Sequence, residues 1–202
     1  MTKRGLTGLD VAGKRVLVRV DFNIPIEQGI EAIASYDQRL RATLPTIHYL
    51  LERDCRVILC SHLGRPGGKV TEELRLAPVG DRLGFLLDRP VNSLDDCVGP
   101  GVATAVADMA PGDAVLLENL RYHEGETKND PGFCEALASL GDVYINDAFG
   151  TAHRAHASTA GAALLIQERA VGYLIRKELE FLGSAVFDPQ KPFTAILGGA
   201  KV

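Results

Sequence analysis

Short apolar runs and longer amphipathic stretches alternate along this chain. RVLVRVD at 15–21, RVILC at 56–60, AVLLE at 114–118, DVYIN at 142–146 and TAIL at 194–197 are rich in β-branched residues. Near-continuous apolar strands separated by helical patterns predict a parallel sheet covered on both faces. The spacing leaves room for right-handed crossovers. The clearest helix shows as a single stripe: Tyr36, Leu40, Leu44, Ile47 and Leu51 follow one another at steps of four, four, three and four. Ser35 followed by Gln38 predicts a capping box at its start. Pro45 lies inside the stripe, removes the hydrogen bond to Arg41 and predicts a kink. Weaker helical patterns cover 76–87, 101–108 and 131–140, and a stronger one covers Val171–Ser184. The expected architecture is α/β: a doubly wound, Rossmann-like parallel sheet with helices on both faces, in three layers αβα.

Length changes this picture little. At 202 residues the chain suits one α/β domain with an appendage. A domain of this size buries about 70% of its unfolded surface, so it needs no disulfides. The four cysteines, Cys55, Cys60, Cys97 and Cys134, form no C-x-x-C pair and read as reduced thiols. The opening MTKRGLTGLD has no apolar h-region, and no apolar run approaches membrane-spanning length. A cytoplasmic protein is therefore expected, without a membrane partner. The net charge of −4 argues against a nucleic-acid partner. Any anion site has to be a local positive cleft on an acidic body.

Such a cleft is written into the strand ends, where open α/β sheets bind ligands. The first strand ends in Arg19, Asp21 and Asn23; the second runs into SHLGRPGG with His62 and Arg65. The strand at 114–118 runs into ENLRYH with Arg121, and the one at 142–146 into NDAFGTAHRAHAS with His153, Arg154 and His156. Arg39 joins from the first turn of the Pro45 helix. Taken singly these residues have plain structural uses. Arg19 could pair with Asp21 or another carboxylate; Arg121 could belong to an ordinary loop; His62 could cap a helix or bury a neutral ring. His153 and His156 make an H-x-x-H pair, but no Cys or acidic partner is spaced for zinc, and no metal is expected. Together, cations converging on one cleft would repel one another unless an anion sat among them. Arginine's fork suits phosphate and carboxylate. A small substrate carrying both groups would engage the set, with Asp21 and Asn23 on its hydroxyls. The small residues around Arg154 keep that pocket roomy. A second hint, Gly198-Gly199-Ala200-Lys201 after the last apolar run, is like a phosphate loop at a helix N-terminus, although it lacks the Walker pattern and a Gly-Gly turn is also ordinary structure.

Six blocks in order, VDFNIP, SHLGRP, LLENLRYHEGETKND, INDAFGTAHRAHAST, GYLIRKELEFL and AILGGAKV, resemble phosphoglycerate kinases over nearly the whole chain. The resemblance implies two doubly wound domains joined by a helix. The first binds 3-phosphoglycerate or 1,3-bisphosphoglycerate in a basic patch; the second binds Mg-ADP or Mg-ATP. It assigns Asp21, Asn23, Arg39, His62, Arg65, Arg121 and Arg154 to the substrate, with Arg19, His153 and His156 supporting. It assigns Lys201 to the nucleotide phosphates and, with Arg39, to catalysis. It divides the chain into a substrate domain over 1–170, an interdomain helix over 171–186 and the start of a nucleotide domain over 187–202. The expected reaction is glycolytic phosphoryl transfer between 1,3-bisphosphoglycerate and ADP by a monomer. The chain reads as the family's N-terminal half, truncated before the second domain, with the rest of the Mg-nucleotide site and the missing C-terminal domain beyond Val202. Phe187 onward is expected to be loosely held, and the half alone to give no turnover. The competing expectation is a non-catalytic phosphate and carboxylate binding module.

Overall fold

A computed structural model describes residues 4–25, 30–187, 189–196 and 198. Six strands form one sheet: β1 (Arg15–Arg19), β2 (Arg56–Cys60), β3 (Asn92–Ser93), β4 (Ala114–Leu116), β5 (Val143–Asn146) and β6 (Glu168–Val171). Every pairing is parallel and the order is β3-β4-β2-β1-β5-β6. The chain builds outward from β1 to β2 and β4 on one side, then crosses to β5 and β6 on the other. The reversal between β1 and β5 makes the crevice at their carboxyl ends the natural ligand position. Seven α-helices complete the described fold: α1 (Gln38–Leu51), α2 (Ala77–Leu87), α3 (Pro100–Ala107), α4 (Glu124–Lys128), α5 (Pro131–Ala138), α6 (Ala162–Leu165) and α7 (Tyr173–Phe187).

The strands alternate between two cores. Val16, Val18, Val57, Leu59, Leu116, Val143 and Ile145 pack with Leu40, Ile47, Leu50, Val79 and Leu83 of α1 and α2. Their neighbours Leu17, Ile58, Cys60, Val115 and Tyr144 pack on the opposite face with Val102 and Val106 of α3 and Phe133 and Leu137 of α5. Successive side chains of a strand point to opposite faces, so apolar residues at every position demand helices on both. That is the three-layer αβα arrangement expected from the runs.

Several details differ from the sequence reading. Of the strand expected at 194–197, Thr194, Ala195 and Ile196 carry none, and Leu197 lies outside the described residues. The short edge strands β3 and β6 have no long apolar run to announce them. The last helix starts two residues later than expected, because Val171 completes β6, and runs on to Phe187. The capping box is also absent. A 3-10 helix, Ile30–Tyr36, leads straight into α1, so Ser35 is not the extended residue an N-cap requires. Gln38 Nε2 instead donates to the Ser35 carbonyl at 3.3 Å. Asp37 takes the cap position, but its carboxylate accepts from Arg41 Nε at 2.8 Å and Arg82 Nη2 at 2.6 Å. The helix itself continues through Pro45. All four cysteines are buried free thiols. Residues 189–196 are exposed and carry neither helix nor strand. Among the described residues, no helix is long and apolar enough to cross a membrane.

Candidate functional site

Because all six strands are parallel, the loops after β1, β2, β4 and β5 leave the same edge of the sheet. They enclose a cavity of about 1100 Å³. Asp21 and Asn23 line it from the first loop, His62, Gly64 and Arg65 from the second, Arg121 from the third, and Gly150 and Arg154 from the fourth; Arg39 reaches in from α1. Hydrogen bonds between loops fix this geometry. Asn23 Oδ1 accepts from the Gly64 N–H at 2.8 Å. Arg121 Nη1 donates to the Gly64 carbonyl at 2.8 Å, and the Arg121 carbonyl accepts from the Gly68 N–H at 3.1 Å. Gly64 sits at φ +61°, and a Cβ there would lie 2.7 Å from Leu74, so only glycine lets the loop fold over Arg121. Asn119 is the hidden support. Fully buried, it donates to the carbonyls of Leu63 and Leu74 at 2.8 and 3.1 Å and accepts from the N–H groups of Leu63 and Arg121 at 3.2 and 3.1 Å. One side chain thus ties the β2 loop to the β4 loop.

The charges in the cavity are not balanced. Arg39 pairs with Asp21. Arg121 has only a carbonyl, and among the described residues the guanidinium groups of Arg65 and Arg154 have no hydrogen-bond or ion-pair partner. The carboxylate of Glu73 is the other acidic group on the wall, and sequence reasoning missed it. Burial, then repulsion from Arg154 and Arg19, pulls the Arg121 pKa below its ordinary value. A group whose charge is opposed by burial and by neighbouring cations gains most when an anion arrives.

Arg19 does not face the cavity. It lies beneath it, 1% exposed, and its Nε donates to Ser158 Oγ at 2.9 Å. Its Nη1 donates to the Val20 carbonyl and its Nη2 lies 3.0 Å from His62 Nδ1. Ser158 in turn donates from Oγ to Oε1 of the fully buried Glu126 at 2.6 Å, while its N–H donates to Oε2 at 2.9 Å. Of the two partners the sequence left open for Arg19, Asp21 or another carboxylate, the structure links it through Ser158 to the second kind, Glu126 from α4. His62 is buried over Arg19, and its pKa is pushed down to about 2, first by burial and then by Arg19, Arg121, Arg154 and Arg39. The ring is neutral rather than a member of the cationic set. This has a sign for stability. The unfolded chain binds a proton near the ordinary value of 6.5 that the folded chain refuses down to about 2. His62 therefore costs nothing above the ordinary value, and stability drops as pH falls below it, by up to about 1.4 kcal/mol per pH unit. A urea midpoint that falls between about pH 7 and about pH 5, with a shallower fall in His62→Gln, is the expected result.

With this geometry in hand, comparison with known proteins is decisive. The phosphoglycerate kinase family model matches residues 6–202. The chain belongs to the phosphoglycerate kinase family. It is 58% identical over 202 residues to the phosphoglycerate kinase of Moorella thermoacetica, covering all of this chain and 50% of that one. It is 53% identical over 201 residues to that of Microcystis aeruginosa, again covering 50% of the relative. Among solved structures, phosphoglycerate kinase from Pyrococcus horikoshii OT3 superposes with a TM-score of 0.86 at 33% identity, covering 100% of this chain and 50% of that chain. The structure from Coxiella burnetii gives 0.81 at 37% identity, covering 95% and 47%. The chain thus spans about half the length of the curated relatives it matches.

Within this phosphoglycerate kinase half, Asp21, Asn23, Arg39, His62, Arg65, Arg121 and Arg154 all line one cavity. His156 lines an adjoining cleft that shares Arg65, Arg121 and Arg154. Its Nδ1 is 3.7 Å from Glu126 Oε1, yet burial lowers its pKa despite that carboxylate. His153 is exposed and lines neither space. Lys201 lies outside the described residues. Ser158 and Glu126 escaped sequence reasoning, since a serine and a glutamate in polar segments carry no sign of burial. Gly150 packs against Asp21, where a Cβ would lie 2.9 Å from Oδ2, so the small residues around Arg154 allow close approach as anticipated. A separate trio, Asp96, Cys97 and His123, places its ligand atoms within 4.8 Å of one another. Asp96 Oδ1 already accepts from the Cys97 N–H and meets His123 Nε2, both at 2.7 Å, and burial holds the Cys97 thiol well above its ordinary pKa. These groups already hydrogen-bond one another.

Proposed function

We propose that this chain is the acid-binding half of a phosphoglycerate kinase, which moves a phosphoryl group between 1,3-bisphosphoglycerate and ADP to give 3-phosphoglycerate and ATP in glycolysis. The observation that carries the reading is the meeting of Arg39, Arg65, Arg121 and Arg154, from four separate segments, on one cavity with too few carboxylates to neutralise them. Arginines in this number suit a ligand with a phosphate at one end and a carboxyl group at the other. Arg65, Arg121 and Arg154 hold the non-reacting phosphate. His62, buried and neutral, donates a hydrogen bond. Asp21 and Asn23 orient the hydroxyl and carboxyl end, with Arg39 beside them.

Phosphoryl transfer asks mainly for alignment and charge neutralisation. Arg39 and Lys201 are the groups proposed to steady charge on the phosphoryl group in flight. The donors of this cavity are guanidinium, imidazole and amide groups, and its Asp21 carboxylate is held by Arg39, so the set suits substrate oxygens. Mg-nucleotide, which the family uses, would supply the acceptor or donor phosphate from the other half, with Lys201 as this chain's contribution. Residues 1–170 then form the substrate domain, and 171–186 the connecting helix.

Titration with 3-phosphoglycerate followed by NMR is expected to shift the amide signals of Gly64, Gly150 and their neighbours, with affinity falling as salt rises. Inorganic phosphate should bind more weakly, since it lacks the carboxyl end. Equal binding of the two would leave an anion-binding module and remove the substrate assignment. No response to either would remove both.

A further inference from the structure

The family reading leaves Glu126 and Ser158 without a task, although both are fully buried and polar. Burying a carboxylate is costly unless it is paired and hydrogen-bonded. The pattern of donors and acceptors around them is unusually determinate, because one member has no choice. Arginine is always protonated and only donates. Arg19 Nη2 therefore donates to His62 Nδ1 across their 3.0 Å contact, and Nδ1 has to accept. A neutral imidazole that accepts at one nitrogen carries its proton on the other. Nε2 has no partner among the described residues, and the ring lines the cavity.

We propose that Glu126 and Ser158 are positioning residues which, through Arg19, hold His62 as the neutral tautomer that donates from Nε2 toward the bound acid. Each link has one direction. Glu126 Oε1 accepts from Ser158 Oγ, Ser158 Oγ accepts from Arg19 Nε, and Arg19 donates onward to His62. Two further contacts stop Ser158 from turning away. Tyr144 Oη donates to its carbonyl at 2.6 Å, and its own N–H is held by Glu126 Oε2. The next residue, Thr159, donates from Oγ1 to the Arg154 carbonyl at 2.6 Å, so the same buried turn also seats the loop that carries Arg154. The charged groups around the ring are Arg19 from β1, Arg39 from α1, Arg121 after β4 and Arg154 after β5, and all of them disfavour an imidazolium. A neutral N–H donor adds a hydrogen bond to an oxyanion without adding another positive charge to a crowded site. The tautomer assignment stands on the ligand-free geometry; its consequence for the acid rests on the proposed function.

The test reads the ring nitrogens directly. In ligand-free protein, long-range proton–nitrogen NMR distinguishes the two neutral tautomers and the imidazolium of each histidine. Loss of one set of signals in His62→Gln assigns His62 among the five histidines. The wild type is expected to show only the Nε2–H form near neutral pH. Ser158→Ala breaks the chain, and an Nδ1–H population is expected to appear. Glu126→Gln is the gentler variant. Its amide can donate to Ser158 Oγ, which then loses the acceptor for its own proton, so the same shift is expected without a large change in volume. Both variants should bind 3-phosphoglycerate more weakly by about ten-fold, the worth of one charge-assisted hydrogen bond. A wild type in the Nδ1–H or imidazolium form overturns the proposal, as do variants that leave the His62 signals unchanged while folded. Failure of the wild type to bind 3-phosphoglycerate would count against the function proposed above, and the ring signals report separately from it.

Discussion

Alanine in place of Arg121 is expected to weaken 3-phosphoglycerate binding by about ten- to a hundred-fold, since a hydrogen bond to a charged group is worth about 1.5–3 kcal/mol. Arg121 should outrank its neighbours for two reasons. It is the partly buried member of the set, desolvated and pressed by Arg154 and Arg19, so a phosphate relieves more strain there than at an exposed arginine. Its side chain also props the β2 loop through the Gly64 carbonyl. Truncation removes a ligand contact and slackens the loop bearing Arg65. Arg154→Ala separates the two effects. Arg154 is exposed and its guanidinium has no partner among the described residues, so its loss should weaken binding and leave the urea midpoint unchanged. Arg121→Lys retains the charge but not the fork, and should recover only part of the affinity. Titrations at two salt concentrations check all three. A change below about three-fold in Arg121→Ala, less than half of one such bond's free energy, would show that the phosphate lies elsewhere.

How far this site could be read in advance depends on what leaves a mark in a sequence. The four central strands are legible because a strand buried on both faces has to be apolar at nearly every position, as in RVILC. Parallel order then follows from the helical spacing, and parallel order alone sends every strand end to one edge. That is why Arg65, Arg121 and Arg154 could be placed together although they lie far apart in the chain. The edge strands β3 and β6 were illegible for the converse reason: Asn92–Ser93 and Glu168–Val171 pair with a strand on one side only, β6 adding just a single bridge from Val171 to Gly5, and their composition is not forced. Inside the site, the sequence shows which residues can carry charge but not which way they turn. Arg19 sits two positions before the cavity residue Asp21 and yet lies under the cavity, bonded toward Ser158 and Glu126, which come from distant segments. His153 and Arg154 are adjacent, and only the second faces the cavity. For His62 the sequence left open a helix cap, a buried neutral ring or a place in the cationic set, and its burial over Arg19 favours the neutral ring.

Replacing Arg19 by methionine is expected to destabilise the fold by about 3–5 kcal/mol, the cost of leaving one member of a buried charged network without its partner. Methionine is long and unbranched enough to fill much of the space, so the loss should be electrostatic more than steric. The charge left behind is Glu126, which would keep its bonds to Ser158 but lose the guanidinium that Ser158 Oγ links it to. A cycle with Glu126→Gln distinguishes this from simple packing damage. If Arg19 and Glu126 offset each other through the serine, the double variant Arg19→Met/Glu126→Gln will be more stable than the sum of the two single losses predicts, by more than about 1 kcal/mol. Urea unfolding measures this, provided m stays constant across the four proteins. Additive losses would mean that Arg19 is held by the Val20 carbonyl and His62 alone, and that Glu126 serves only the turn at Ser158. Coupled losses with no acid added would show that the support beneath the cavity is assembled during folding, so that the acid meets a histidine whose donor is already set.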